Sequence, residues 1–111
     1  MDITVNDQGD GIAILKLDGK LNMVSSRSFR DAVAESVAAG QTRLAIDLTG
    51  VDFLDSSGLG ALISGLKTTR QAGGDLRIAA PNDQVRLVLQ LTNMERLLLA
   101  YPDASTAFVD G

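Results

Sequence analysis

The chain has 111 residues, the size of one ordinary domain and enough to bury a core without disulfide or metal staples. It contains no cysteine and no histidine, which excludes thiol chemistry, Cys/His zinc sites, a disulfide framework and an imidazole base for a serine nucleophile, and which fits a reducing cytoplasm. A formal net charge of -4 without any basic run leaves no electrostatic footprint for nucleic acid or anionic lipid. The opening residues, Met1 to Asn6, lack a basic segment followed by an apolar run, and no stretch approaches the roughly 20 apolar residues that span a bilayer. The expectation is a single soluble, cytoplasmic domain over residues 1–111, with neither nucleic acid nor membrane as a direct partner.

Ile3 and Val5 alternate with Thr4 and Asn6, and Gly9-Asp10-Gly11 interrupts the chain before Ile12 to Leu17. This predicts an N-terminal β-hairpin ending near Gly19. After Ser25, apolar residues recur at Phe29, Ala32, Val33 and Val37, the spacing of a helix, and Gly40 stands where a left-handed C-terminal cap is common. Leu44 to Leu48 reads as a short buried strand, and Leu59, Leu62, Ile63 and Leu66 form one helical face ending before Gly73-Gly74. Leu76 to Ala79 predicts a strand, Pro81-Asn82 opens a third helix with Val85, Val88 and Leu89 inward, Leu97 to Tyr101 a last strand, and a brief helix follows Pro102-Asp103. Strands alternating with helices of this length imply an α/β fold whose later strands are parallel and joined by right-handed crossovers. Strand-to-helix turns carry the sites in such sheets.

One turn stands out. Asp55-Ser56-Ser57-Gly58-Leu59-Gly60 joins an apolar strand to an amphipathic helix and places two hydroxyls at the positive end of the helix dipole, beside unsatisfied backbone N–H groups. Capping by Asp55 and the serines accounts for part of this composition. Gly58 and Gly60 require more, since each costs roughly 1 kcal/mol relative to Ala in a helix, and close approach of another backbone would offset that cost. Gly58→Ala is accordingly expected to be the milder change, mainly repairing helix propensity, and Gly60→Val the more damaging one for a docked partner. The preceding Val51-Asp52-Phe53-Leu54 either fills the sheet or lines a docking surface, with Leu54 assigned to the core.

Enzymatic readings of the turn lack parts. A serine hydrolase needs a base, and Lys67 lies more than two helical turns away. A nucleotide-binding loop needs a Gly-Lys-Ser/Thr ending or a Gly-x-Gly-x-x-Gly after a strand, and neither occurs. Asp47, Asp52 and Asp55 cluster in sequence without the spacing of a known cation loop. No cofactor and no metal site are expected.

Val51 to Gly60 resembles the signature of STAS domains, specifically of bacterial anti-sigma factor antagonists. Leu17-Asp18-Gly19-Lys20-Leu21-Asn22 before the first helix and Leu91-Thr92-Asn93-Met94 after the third resemble the family's two weaker motifs, so the likeness spans nearly the whole chain. The resemblance implies a STAS-like domain with a mixed, mostly parallel sheet. It implies a non-catalytic protein that binds a serine-kinase anti-sigma factor and so releases a sigma factor. It also implies phosphorylation by that kinase on the serine directly after the motif's Asp, here Ser56, and reversal by a phosphatase. The partner-binding residues implied are Asn22, Asp55, Ser56, Ser57, Gly58, Leu59 and Gly60. Two positions depart from the family pattern: Asn22 stands where Asp is frequent, keeping the cap-like shape without the charge, and Asn93 stands where Gly is frequent, another residue that tolerates the left-handed conformation. The alternative roles for the same fold are a STAS subunit of a stress-signalling complex or of a lipid-transport ABC system.

Overall fold

A computed structural model describes residues 1–108. The strands are β1 (Asp2–Gly9), β2 (Ile12–Leu21), β3 (Arg43–Leu54), β4 (Asp75–Ala79) and β5 (Ala100–Tyr101), and the helices are α1 (Ser26–Ala38), α2 (Ser56–Gln71) and α3 (Asp83–Leu91). Single 3-10 turns at Met94–Arg96 and Ala104–Thr106 flank β5. The sheet order is β1-β2-β3-β4-β5; β1 pairs antiparallel with β2, and the other neighbours pair parallel. This is the mixed α/β arrangement that the alternating pattern predicts.

The pleat sends alternate side chains to opposite faces of the sheet. Leu15 and Leu17 of β2, Leu44, Ile46 and Leu48 of β3, and Leu76 and Ile78 of β4 face the helices. There they meet Phe29 and Val33 of α1, Leu62 and Leu66 of α2, and Val85 and Leu89 of α3. Each such side chain contributes about 1.5–3 kcal/mol when fully buried, so this layer dominates the stability. The other face is thinner. Ala45 and Ala79 are covered by Ala104 and Ala107 of the C-terminal segment, with Ile14, Tyr101 and Phe108 at the margin. Arg77 fastens that segment: its guanidinium lies 4.5 Å from the Phe108 ring centroid and 5.5 Å from that of Tyr101, and it donates to the Ala107 carbonyl at 2.6 Å.

Three element boundaries differ from expectation. β2 continues past Gly19 to Leu21 because β3 continues beside it, pairing Lys20 with Phe53 and Leu21 with Leu54. β3 itself is one strand from Arg43 to Leu54, because a bulge near Thr49 and Gly50 absorbs the interruption. The register steps from Lys16–Asp47 to Asp18–Gly50, and the Asp47 carboxylate accepts from both the Thr49 amide and hydroxyl. β5 is shorter than Leu97 to Tyr101; Leu98 alone of its leucines is buried, while Leu97 and Leu99 are exposed. Gly40 and Asn93 adopt positive φ, 90° and 57°, as their positions after helices predict.

Candidate functional site at the opening of the second helix

β3 outruns its neighbour. It pairs with β4 only over Arg43–Asp47, so its last residues need other partners on that side. Side chains at the start of α3 supply them. Gln84 accepts from the Leu54 amide through Oε1 at 2.9 Å and donates to the Leu54 carbonyl through Nε2 at 2.9 Å, so one side-chain amide stands in for a neighbouring strand. Asn82 donates to the Val51 carbonyl at 3.1 Å while its Oδ1 caps α3 on the Val85 amide at 2.9 Å. The chain therefore enters the 55–60 turn from a fixed direction.

Asp55 is the N-cap of α2, with extended φ and ψ of -107° and -175°. Its Oδ1 accepts from the Gly58 amide at 2.8 Å, and its Oδ2 accepts from the Met23 amide at 3.2 Å. One carboxylate thus closes the helix terminus and ties it to the turn before α1. That second turn is built on Asn22, whose Oδ1 accepts from the Val24 and Ser25 amides at 3.0 and 3.2 Å. Ser25 completes it: its hydroxyl accepts from the Asn22 amide at 3.0 Å and donates to the Lys20 carbonyl at 2.6 Å. Asn22 acts here through its carbonyl oxygen alone, a role that a carboxylate performs equally well.

Ser56 and Ser57 are the first two residues of α2, with Ser56 exposed and Ser57 half-buried. Capping falls to Asp55, and neither serine hydroxyl takes part in it, which corrects the expectation of shared capping. Ser56 is the first helical residue, because the Asp55 cap directly before it starts the helical geometry.

The two glycines of the turn have different surroundings. Gly58 is buried, and a Cβ there would press on the Leu21 carbonyl oxygen, lie 2.7 Å from the Leu21 carbonyl carbon and 2.8 Å from Leu54 Cδ1. The expectation that Gly58→Ala is mild is therefore wrong: the end of β2 occupies the space, and a backbone carbonyl cannot swing away as a side chain can. The close backbone approach expected for these glycines occurs within the domain, at Gly58. A Cβ on Gly60 would meet only the Arg30 guanidinium, at 3.9 Å. Leu59 is 7 % exposed and packs into the core. Of the six residues, Asp55, Ser56, Ser57 and Gly60 keep surface accessible to a partner, while Gly58 and Leu59 hold the turn against the domain.

Met23 and Val24, 74 % and 84 % exposed, stand beside this turn without having been singled out from sequence. Their signal is an apolar pair inside a polar turn, outside any helical or strand periodicity. Phe53, 39 % exposed, points away from the core that takes Val51 and Leu54. The surface so formed is open: no pocket is present among the described residues. Asp47 and Asp55 hold local amides, and among the described residues no three acidic, His or Cys side chains gather in a metal-binding group. Lys67 lies eleven residues beyond Ser56 on the same helix, about 16 Å along the axis, out of reach of its hydroxyl. The arrangement presents an exposed hydroxyl at the first position of α2, on an open face.

Comparison with known proteins gives the same outline. The model described as STAS domain matches residues 4–107. The anti-sigma-F factor antagonist RsfB of Mycobacterium tuberculosis is 30% identical over 114 residues, an alignment covering 98% of this chain and 90% of that protein. The crystal structure of an anti-sigma factor antagonist from Mycobacterium paratuberculosis superposes with a TM-score of 0.84 at 28% identity, covering 98% of this chain and 94% of the other. The anti-sigma factor antagonist SpoIIAA in its unphosphorylated form has a TM-score of 0.80 at 16% identity, covering 95% of this chain and 92% of the other, a likeness of fold.

Proposed function

The chain belongs to the STAS-domain family, and from that membership we propose that it is an anti-sigma factor antagonist, a non-catalytic cytoplasmic protein switched off by phosphorylation of Ser56. Its partner on this reading is an anti-sigma factor that is also a serine kinase; binding it frees a sigma factor. The relatives named as anti-sigma factor antagonists support the class. The single observation that carries the site is the exposed Ser56 at the first position of α2, directly after the capping Asp55 and engaged in no capping bond of its own. No helix among the described residues is long and apolar enough to cross a membrane.

The kinase supplies the chemistry. Transfer from ATP forms a bond between Ser56 Oγ and the γ-phosphorus, breaks the bond from that phosphorus to the bridging oxygen, releases ADP and passes the hydroxyl proton to a base of the kinase. The product carries about -1.5 to -2 added charge beside Asp55. Within the monomer, the helix terminus offsets the Asp55 repulsion by roughly 0.3–1 kcal/mol. Across a closed interface a phosphate without a cationic partner costs several kcal/mol, and each 1.4 kcal/mol is about tenfold in affinity. The switch therefore acts at the contact surface and leaves the domain folded, and a phosphatase restores binding by removing the group.

Incubation with the cognate kinase and ATP, followed by phosphopeptide mapping, tests this. Phosphate on Ser56 is the expected result, and phosphate found only on Ser57 would overturn the assignment. The protein incubated alone with ATP should remain unlabelled.

A further inference from the structure

Arg30 is exposed on α1, and its guanidinium reaches across to α2, where it lies 3.9 Å from the position a Gly60 side chain would begin to fill. Among the described residues it takes part in no ion pair; those present join Arg70 and Arg77 to Asp75. Gly60 follows Ser56 by four residues, one helical turn, so the two share a face with Cβ directions roughly 5–6 Å apart. Cα–Cβ bonds in a helix tilt toward its N-terminus, so the gap left by the missing side chain at residue 60 opens toward Ser56. A cation of five donors on a flexible stem thus rests beside Gly60, one helical turn from the proposed acceptor, and residue 60 adds no side chain of its own to that surface.

From this we infer that Arg30 is the intramolecular counter-ion of the phosphate on Ser56, reaching it over the low surface that Gly60 leaves on α2. The inference rests on Ser56 being the phosphorylated residue. It extends that reading by naming what receives the group within the domain. Asp55 on one side raises the proton affinity of the phosphate; Arg30 on the other, together with the helix terminus, lowers it. Pairing engages Arg30 with the phosphate, so the modified face carries a net charge of about -0.5 to -1 from the pair in place of a free cation. In the unmodified state the same guanidinium is available to an acidic group of the partner. One residue then has opposite roles in the two states, which adds to the contrast between them.

The test installs phosphoserine at position 56 during translation, so that it does not depend on any kinase, and follows its second ionisation by phosphorus NMR. Loss of the cation should raise that pKa: Arg30→Gln by about 0.3–0.6 unit relative to the parent, with Arg30→Lys intermediate. Gly60→Leu, which fills the gap while keeping Arg30, should reproduce most of the Arg30→Gln shift. Lys67→Gln, which removes an equal charge farther along α2, should leave the value unchanged. Equal pKa values in the parent and Arg30→Gln would overturn the inference, and so would equal shifts from Arg30→Gln and Lys67→Gln, which would reduce the effect to net charge. Failure of Ser56 phosphorylation by the kinase is read separately by the peptide mapping and leaves this titration intact.

Discussion

Gly58 and Gly60 stand two residues apart in one helical turn, in opposite surroundings. Gly58 faces inward against the end of β2, where the Leu21 carbonyl and Leu54 Cδ1 leave no room for a methyl group. Gly60 faces outward toward Arg30 with ordinary space around it. The same division runs through the whole turn. Asp55 Oδ1, Gly58 and Leu59 face the domain and fix the helix on the sheet, while Ser56, Ser57 and Gly60 keep accessible surface. A single short motif therefore carries two demands, and composition alone does not show which glycine answers which.

The largest expected effect breaks the comparison from the inside. Gly58→Ala gains up to about 1 kcal/mol of helix propensity but forces a backbone contact, and overpacking of this kind costs about 1–3 kcal/mol or more, so the loss wins. Gly60→Ala keeps the gain without the contact and should be neutral to slightly stabilising. Thermal or denaturant melts of the two variants decide it; equal stabilities would mean that β2 yields easily at Leu21. On the outward side, Ser56→Asp should weaken partner binding at least about tenfold, or 1.4 kcal/mol, with stability changed by no more than a few tenths of a kcal/mol. A melt and a calorimetric titration of the same sample separate the two, and matching losses would place the effect in folding.

Asp55→Ala tests the residue shared between the two sides. Losing the cap on Gly58 and the tie to Met23 should cost about 1–2 kcal/mol in a melt, whereas Asp55→Asn, which keeps an acceptor oxygen, should recover much of it. The smallest effect is expected from Asn22→Asp. Every bond its side chain receives goes to Oδ1, so stability should move by only a few tenths of a kcal/mol. Any change in partner affinity would then be an effect of charge, larger at low salt than at high salt because exposed charges are screened over about 8–10 Å. Titrations at two ionic strengths read this directly, and identical affinities to the parent at both would leave Asn22 as a turn residue alone.

The parts of the molecule legible in the sequence are those set by local periodicity and local caps. Phe29, Val33 and Val37 mark α1, Leu62 and Leu66 mark α2, Gly40 and Asn93 take the left-handed conformation their positions call for, and Asp55 announces the start of α2. What escapes is set by contacts distant along the chain. The crowding at Gly58 comes from Leu21, the second bond of Asp55 goes to the Met23 amide 32 residues earlier, and the end of β3 is held by Gln84 thirty residues later. No window of neighbouring residues contains these pairs. The bulge in β3 hides for a related reason: Thr49-Gly50 reads as a break, and only the pairing with β2 and the Asp47 side chain shows a strand that continues. Met23 and Val24 escape because exposure of an apolar side chain is a property of the assembled surface, not of its type.

The central claim is that modification of Ser56 changes what the outer side of this turn can bind while the inner side keeps the domain folded. Its most direct test compares the domain phosphorylated on Ser56 with the unmodified domain, measuring affinity for the anti-sigma partner and melting temperature on the same preparations. The account predicts an affinity lower by at least about tenfold with nearly unchanged melting. Equal affinities in the two forms, or a loss of affinity accompanied by a matching loss of stability, would contradict it.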